Sequence, residues 1–195
     1  MKTANTKREQ TEKLALMALL TALTAVLAYF GGFIRIGGLA SVNLTLIPVV
    51  LGAALYGPAA GAWLGGVAGV IFFTTADAAG WLAWSVHGTI ITVMVKSILS
   101  GFCAGLVFKL LEKLNRYAAV IVSAIVCPVV NTGTFLLGCL IFFRDPLSKL
   151  AGDEGMTLGA YFIFAFVTIN FVFEVLANIV LSPTIFSLLN IRKKK

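Results

Sequence analysis

Residues 84–110 read WSVHGTIITVMVKSILSGFCAGLVFKL, and between Val86 and Phe108 the only charged side chain is Lys96. As a helix at 1.5 Å per residue this stretch is about 40 Å long, more than the roughly 30 Å hydrocarbon core of a bilayer. Lipid offers backbone groups no hydrogen-bond partners, so a segment like this must be a helix or part of a closed barrel. It lacks the period-two alternation of barrel strands, which leaves the helix.

The rest of the chain repeats this pattern. Of 195 residues 59% are hydrophobic and 12% charged, about half the charge of an ordinary soluble domain. Mean hydropathy is +1.00. The fold class is an all-α integral membrane protein in a single transmembrane domain, with six spans at about 14–34, 44–56, 59–76, 84–110, 117–143 and 158–189. Residues 1–13 are polar and basic, and the first apolar run reads as a retained span. The second span is short, at ~20 Å, and merging it with the third through Tyr56-Gly57-Pro58 is the alternative.

Charge placement decides between them, because cytoplasmic loops collect Lys and Arg. Six spans put Lys2, Lys7, Arg8, Lys13, Lys109, Lys113, Arg116, Arg192, Lys193, Lys194 and Lys195 on one face, against Arg35, Arg144 and Lys149, a split of 11 to 3. Merging gives 6 to 8 and no asymmetry. Both termini are therefore expected in the cytoplasm. The same placement explains the net charge of +7 without nucleic acid.

Small residues mark close helix contacts. Gly57, Gly61, Gly65 and Gly69 recur every four residues on the third span, a strip suited to internal packing. Ala15, Ala18, Ala22 and Ala25 share one face of the first span and suit either an internal helix or a partner's.

Ionisable groups deep in a membrane mark functional sites. Lys96 lies on a stripe with Ser85, Thr89, Thr92 and Ser100, and Glu174 on one with Asn170 and Asn178. Asn131, Thr132 and Thr134 follow the helix-bending Pro128. Lys96, Asn131 and Asn170 fall roughly 16–18 Å below the outer face, with Glu174 about a turn deeper. Such convergence suits a small-molecule pocket open to the outside. A purely structural Lys96–Glu174 ion pair is the rival, but it leaves the surrounding Asn and Thr residues unexplained. Trp81 and Trp84 fit either interface anchors or a cover over the pocket mouth. Alternation from Ser41 to Leu46 predicts an extended segment lying over the outer opening. Asn43 from that segment joins Thr92, Trp84 and Glu174 among the candidate site residues. His87 points away from Lys96 around the helix. Cys103, Cys127 and Cys139 lie in apolar runs with no metal-ligand spacing, so neither metal nor cofactor is expected. No phosphate-binding loop, nucleophile elbow or zinc-protease motif occurs, so ATP hydrolysis and hydrolase chemistry are not expected of this chain.

Ala18-x-x-x-Ala22, the run Leu46-Ile47-Pro48 to Gly52, and Tyr56-Gly57-Pro58 with Gly61 and Gly65 together resemble the substrate-binding S components of energy-coupling factor (ECF) vitamin transporters. The resemblance covers nearly the whole chain. Many members carry an Asp soon after these glycines; here the first is Asp77, which leaves the cap of the third helix unassigned. The resemblance implies high-affinity vitamin binding from outside and docking on a membrane coupling subunit driven by two ATPases. It also implies that the S component topples in the membrane to release its cargo, with the Ala15–Ala25 strip as docking face. Asn131-Thr132-Gly133 after Cys127-Pro128 is similar to pantothenate-specific members. One carboxylate, one amide and two hydroxyls suit Lys96 and the Asn and Thr stripes. The stripes carry few aromatics, which argues against a flat ring such as riboflavin or thiamine; pyridoxine or hydroxymethylpyrimidine is next in line.

Topology is tested with single cysteines placed at Asn115 and Ser148 in a background lacking Cys103, Cys127 and Cys139. An impermeant reagent added to intact cells should label position 148 and spare 115. Labelling at 115 would contradict the six-span arrangement.

Overall fold

The computed structural model describes residues 2–31, 43–167 and 169–193, with the side chains of 2–8, 31, 167, 169, 170, 173 and 188–193 excepted. Among the described residues the chain is helical throughout. The helices are α1 (Lys2–Gly31), α2 (Leu46–Tyr56), α3 (Pro58–Phe72), α4 (Ala76–Trp84), α5 (Val86–Leu111) and α6 (Arg116–Phe142). After these come α7 (Arg144–Asp153), α8 (Leu158–Phe162), a π-helical turn (Ile163–Val167) and α9 (Ile169–Lys193). Three segments are long and apolar enough to cross a membrane alone: Glu9–Phe30, α5 and α6. The bent pair α3–α4 qualifies together as a fourth, and α2 and Glu174–Ser187 are shorter apolar helices.

Local chemistry sets the breaks. Gly57 takes φ 89°, a conformation that favours glycine, and Pro58 opens α3. α2 and α3 then fold back on each other, with Gly52 against Leu64 and Gly61 against Ala53. The third expected span, 59–76, ends earlier, at Phe72. The Thr74 and Thr75 hydroxyls donate to the Ile71 and Phe72 carbonyls at 2.7 Å, satisfying groups a helix end leaves open. Asp77 sits in the first turn of α4, a helix where the sequence predicted loop, and α4 leaves α3 at 81°. Ser85 caps α5 by accepting from the Gly88 N–H, and Asn115 caps α6 by accepting from Ala118.

Two further expectations are corrected. The extended segment does not continue past Asn43: residues 44–45 form a turn into α2, and residues 32–42 lie outside the described part. The stretch 158–189 is not one helix. A π turn separates α8 from α9, adding a residue per turn where Tyr161, Phe162, Ala165 and Phe166 are all buried.

Two cores result. Leu20, Val49, Val50, Ala53, Leu64, Ala104, Phe108, Val120, Ala124 and Ile185 pack in one. Cys139, Phe143, Leu147, Ala151, Tyr161, Phe162 and Phe166 form a second at the end of α6 that carries α7 and α8. Between α3 and α5 the backbones touch. A Cβ on Gly61 would strike the Gly101 carbonyl, and one on Gly65 the Ser97 carbonyl. The glycine strip thus serves internal packing and fixes α5, the helix carrying Lys96.

Gly65→Ala should therefore lower the melting temperature in detergent, with overpacking worth about 1–3 kcal/mol. Gly66→Ala should leave it nearly unchanged, since its Cβ meets only the Ile98 side chain at 3.6 Å. Equal melting temperatures would contradict this α3–α5 contact.

Candidate functional site

Thr89, Thr92 and Ser100 are buried along α5 on the stripe that carries Lys96. The Lys96 ammonium lies 4.6 Å from the centroid of the Phe135 ring on α6 and 5.7 Å from that of Phe72 on α3. Aromatic faces attract a cation, by ~2 kcal/mol where water is excluded. That is far less than a charge in the membrane interior requires for full compensation.

Glu174 does not supply the rest. It is buried and within electrostatic reach of Lys96, yet among the described residues no ion pair joins them. Instead Glu174 Oε1 accepts the Asn43 backbone N–H at 2.9 Å. Asn43 lies just before α2, whose N-terminal end carries partial positive charge. The Asn43 side-chain oxygen also accepts from the Thr45 N–H (3.3 Å) and the Thr45 hydroxyl, closing the turn that starts α2. The negative charge of Glu174 is thus met by the start of α2. The positive charge of Lys96 is left facing rings.

Other polar atoms lack partners as well. Asn131 Oδ1, Thr92 Oγ1, Ser123 Oγ and Asn178 Oδ1 are buried with no hydrogen-bond partner among the described residues. Thr92 packs against Gly138, and Asn178 donates its amide to the Glu174 carbonyl at 2.8 Å. Asn170 belongs to the first turn of α9, but its side chain lies outside the described residues.

Contacts between helices give the depths. Gly138 against Thr92 and Gly88 against Phe142 align α5 with α6, and the Tyr117–Phe186 ring pair at 5.2 Å aligns α9 with α6. On the α6 scale Lys96 is level with residue 134 and Glu174 with residue 129. Along the helices the order is Lys96, Asn131, Glu174, spanning about 8 Å at 1.5 Å per residue. α2 and α6 each pack against both α5 and α9, and so stand between the two charged helices.

The aromatic surroundings differ from the sequence expectation. Phe135 is four residues beyond Asn131 on the same face of α6. Trp81 forms a hub whose ring lies 5.1 Å from Phe135, 5.3 Å from Phe143, 5.2 Å from Trp84 and 6.1 Å from Phe166. Trp84 is 42% exposed at the edge of this cluster. Aromatics are therefore close to the site, and the argument against flat-ring ligands from their scarcity falls. The i, i+4 relation of Asn131 to Phe135 was the available signal. Phe72, on another helix, gave none. His87 is exposed.

Lys96, half-buried and with no ion pair among the described residues, stands with polar groups that lack partners there, in an all-helical chain with membrane-length apolar helices. The family model for the substrate-specific component of ECF transporters matches residues 12–186. The chain belongs to this family. No curated protein matches it. It is thus a multi-pass membrane subunit that binds a vitamin-type small molecule for an ECF transporter, with transport rather than catalysis as its task.

In this S component the alanine strip of α1 stays on the surface. Ala15, Ala18 and Ala22 are exposed and Ala25 partly so. The bundle side of α1 is made by Leu20 and Thr24, both buried, and by Thr21, which accepts the Trp63 indole N–H at 3.2 Å.

Proposed function

We propose that this S component binds pantothenate with high affinity from outside the cell and delivers it through a coupling subunit and two ATPases. In this reading the chain crosses the membrane six times, with both termini cytoplasmic. The observation that carries the substrate is Lys96: a cation held on Phe135 and Phe72 while the carboxylate of Glu174 is engaged by Asn43. A site with one uncompensated positive charge selects an anion. The partnerless oxygen of Asn131 and the side chain of Asn170 suit the amide and hydroxyls, and Thr92 adds a hydroxyl above them. Trp84 and the Trp81 cluster border the outer side.

The Trp81–Phe135–Phe166 cluster supports a second reading, a vitamin with a flat ring such as pyridoxine, hydroxymethylpyrimidine or riboflavin, since rings stack on rings. Calorimetry of the purified chain against this panel separates the two. Pantothenate should bind most tightly, and Lys96→Met should weaken it about 10- to 100-fold, for a charge-assisted hydrogen bond of ~1.5–3 kcal/mol. Tighter binding of a neutral ring compound, unaffected by Lys96→Met, would favour the second reading.

The exposed strip Ala15, Ala18, Ala22 and Ala25 is the proposed docking face for the coupling subunit, because helices approach closely only over small side chains. Replacing Ala18 and Ala22 with Leu should leave vitamin binding intact and abolish uptake by cells expressing the whole transporter. Equal loss of binding and uptake would contradict a docking role.

A further inference from the structure

The two charged groups of the site sit at different depths and are served differently. Lys96 is the outer one and has no hydrogen-bonding counter-group among the described residues, its ammonium resting on Phe135 and Phe72. Glu174 is the inner one, about 8 Å further in by helix register, and already accepts one N–H from Asn43. A carboxylate has about four lone-pair sites, so one N–H leaves it room for further donors. Between them in depth, on α6, lies Asn131 with an oxygen that has no partner although the residue is 4% exposed. A buried acceptor without a donor is costly to leave in place, and the donor it lacks is one a ligand can bring.

We infer that the substrate stands lengthwise in the site, its acid group outward on Lys96 and its hydroxyl groups inward as donors to Asn131 and Glu174. Glu174 is then a specificity-determining residue for hydroxyl groups rather than the counter-ion of Lys96. This rests on the reading of the site as one for a hydroxylated acid.

The charges favour this direction. With the ligand reversed, its carboxylate would lie beside the carboxylate of Glu174, two like charges in a medium that screens them poorly. Its hydroxyls could accept from the ammonium but would leave its charge without a counter-ion. The length fits as well. An acyl-β-alanine acid is about the size of two extended residues, roughly 7 Å, comparable with the axial offset between Lys96 and Glu174.

The test is a set of double-mutant cycles read by calorimetry on the full chain in detergent. Three probes are used: pantothenate, its alcohol analogue with the carboxylate reduced, and an analogue lacking the pantoyl hydroxyls. The variants are Lys96→Met, Asn131→Ala and Glu174→Gln; Gln keeps an acceptor for the Asn43 N–H, so the start of α2 is retained. Wild type should lose about 10-fold or more for either analogue. The acid-to-alcohol penalty should vanish only in Lys96→Met. The hydroxyl penalty should shrink in Glu174→Gln and Asn131→Ala while their acid-to-alcohol penalty stays at the wild-type value. A crossed pattern, with the hydroxyl penalty lost in Lys96→Met and kept in both others, overturns the orientation while pantothenate binding stands. No pantothenate binding by wild type overturns the substrate reading itself and the orientation with it.

Discussion

An ammonium inside a membrane helix has to be compensated by something, and the arrangement around Lys96 follows from that constraint. The available carboxylate, Glu174, is held by the N–H that precedes α2. The rings of Phe72 and Phe135 offer attraction without a hydrogen bond. They hold the cation and leave its donors unspent, which is what the proposed anion site needs. A tight Lys96–Glu174 pair would have stabilised the empty bundle no better than a pair of apolar residues. It would also have had to break each time a substrate entered.

Placing the cation depends in turn on close backbone packing. α5 reaches its position because Gly61 and Gly65 of α3 lie against the carbonyls of Gly101 and Ser97, and because Gly138 of α6 receives Thr92. A Cβ at Gly61, Gly65 or Gly138 would overlap α5, so the helix that carries Lys96 would have to shift. The outer core adds a further layer, with Trp81 joining α4 to Phe135, Phe143 and Phe166. Phe135 touches both systems, so the outer cap and the charged site share a wall. On the far side of the molecule α1 buries only a narrow face and leaves its alanines open, which suits a subunit that meets its partners within the membrane.

Much of this was legible in the sequence. Hydropathy gave the helical membrane class, the four-residue glycine period gave the α3 contact strip, and Lys96, the one charge between Val86 and Phe108, gave the candidate site. What the sequence concealed lies between elements. The partner of Glu174 is a backbone N–H 131 positions away, and no side-chain pattern encodes it. Phe72 reaches Lys96 only through the α3–α5 register. The helices α4 and α7 and the π turn fall where polar or aromatic residues blur the apolar period, so they read as loop or as part of one longer span. The aromatic-poor stripes did not reveal the rings around Lys96, because each stripe describes one helix and Phe72 comes from another.

The most direct test is the structure of the purified chain with its vitamin bound. A carboxylate oxygen of the ligand should lie about 2.7–2.9 Å from the Lys96 ammonium, the length of a charge-assisted hydrogen bond, with Glu174 still accepting the Asn43 N–H. A ligand bound with no anionic oxygen on Lys96, or a Lys96 ammonium paired with Glu174 in the occupied site, would contradict the assignment of Lys96 as the substrate's anchor.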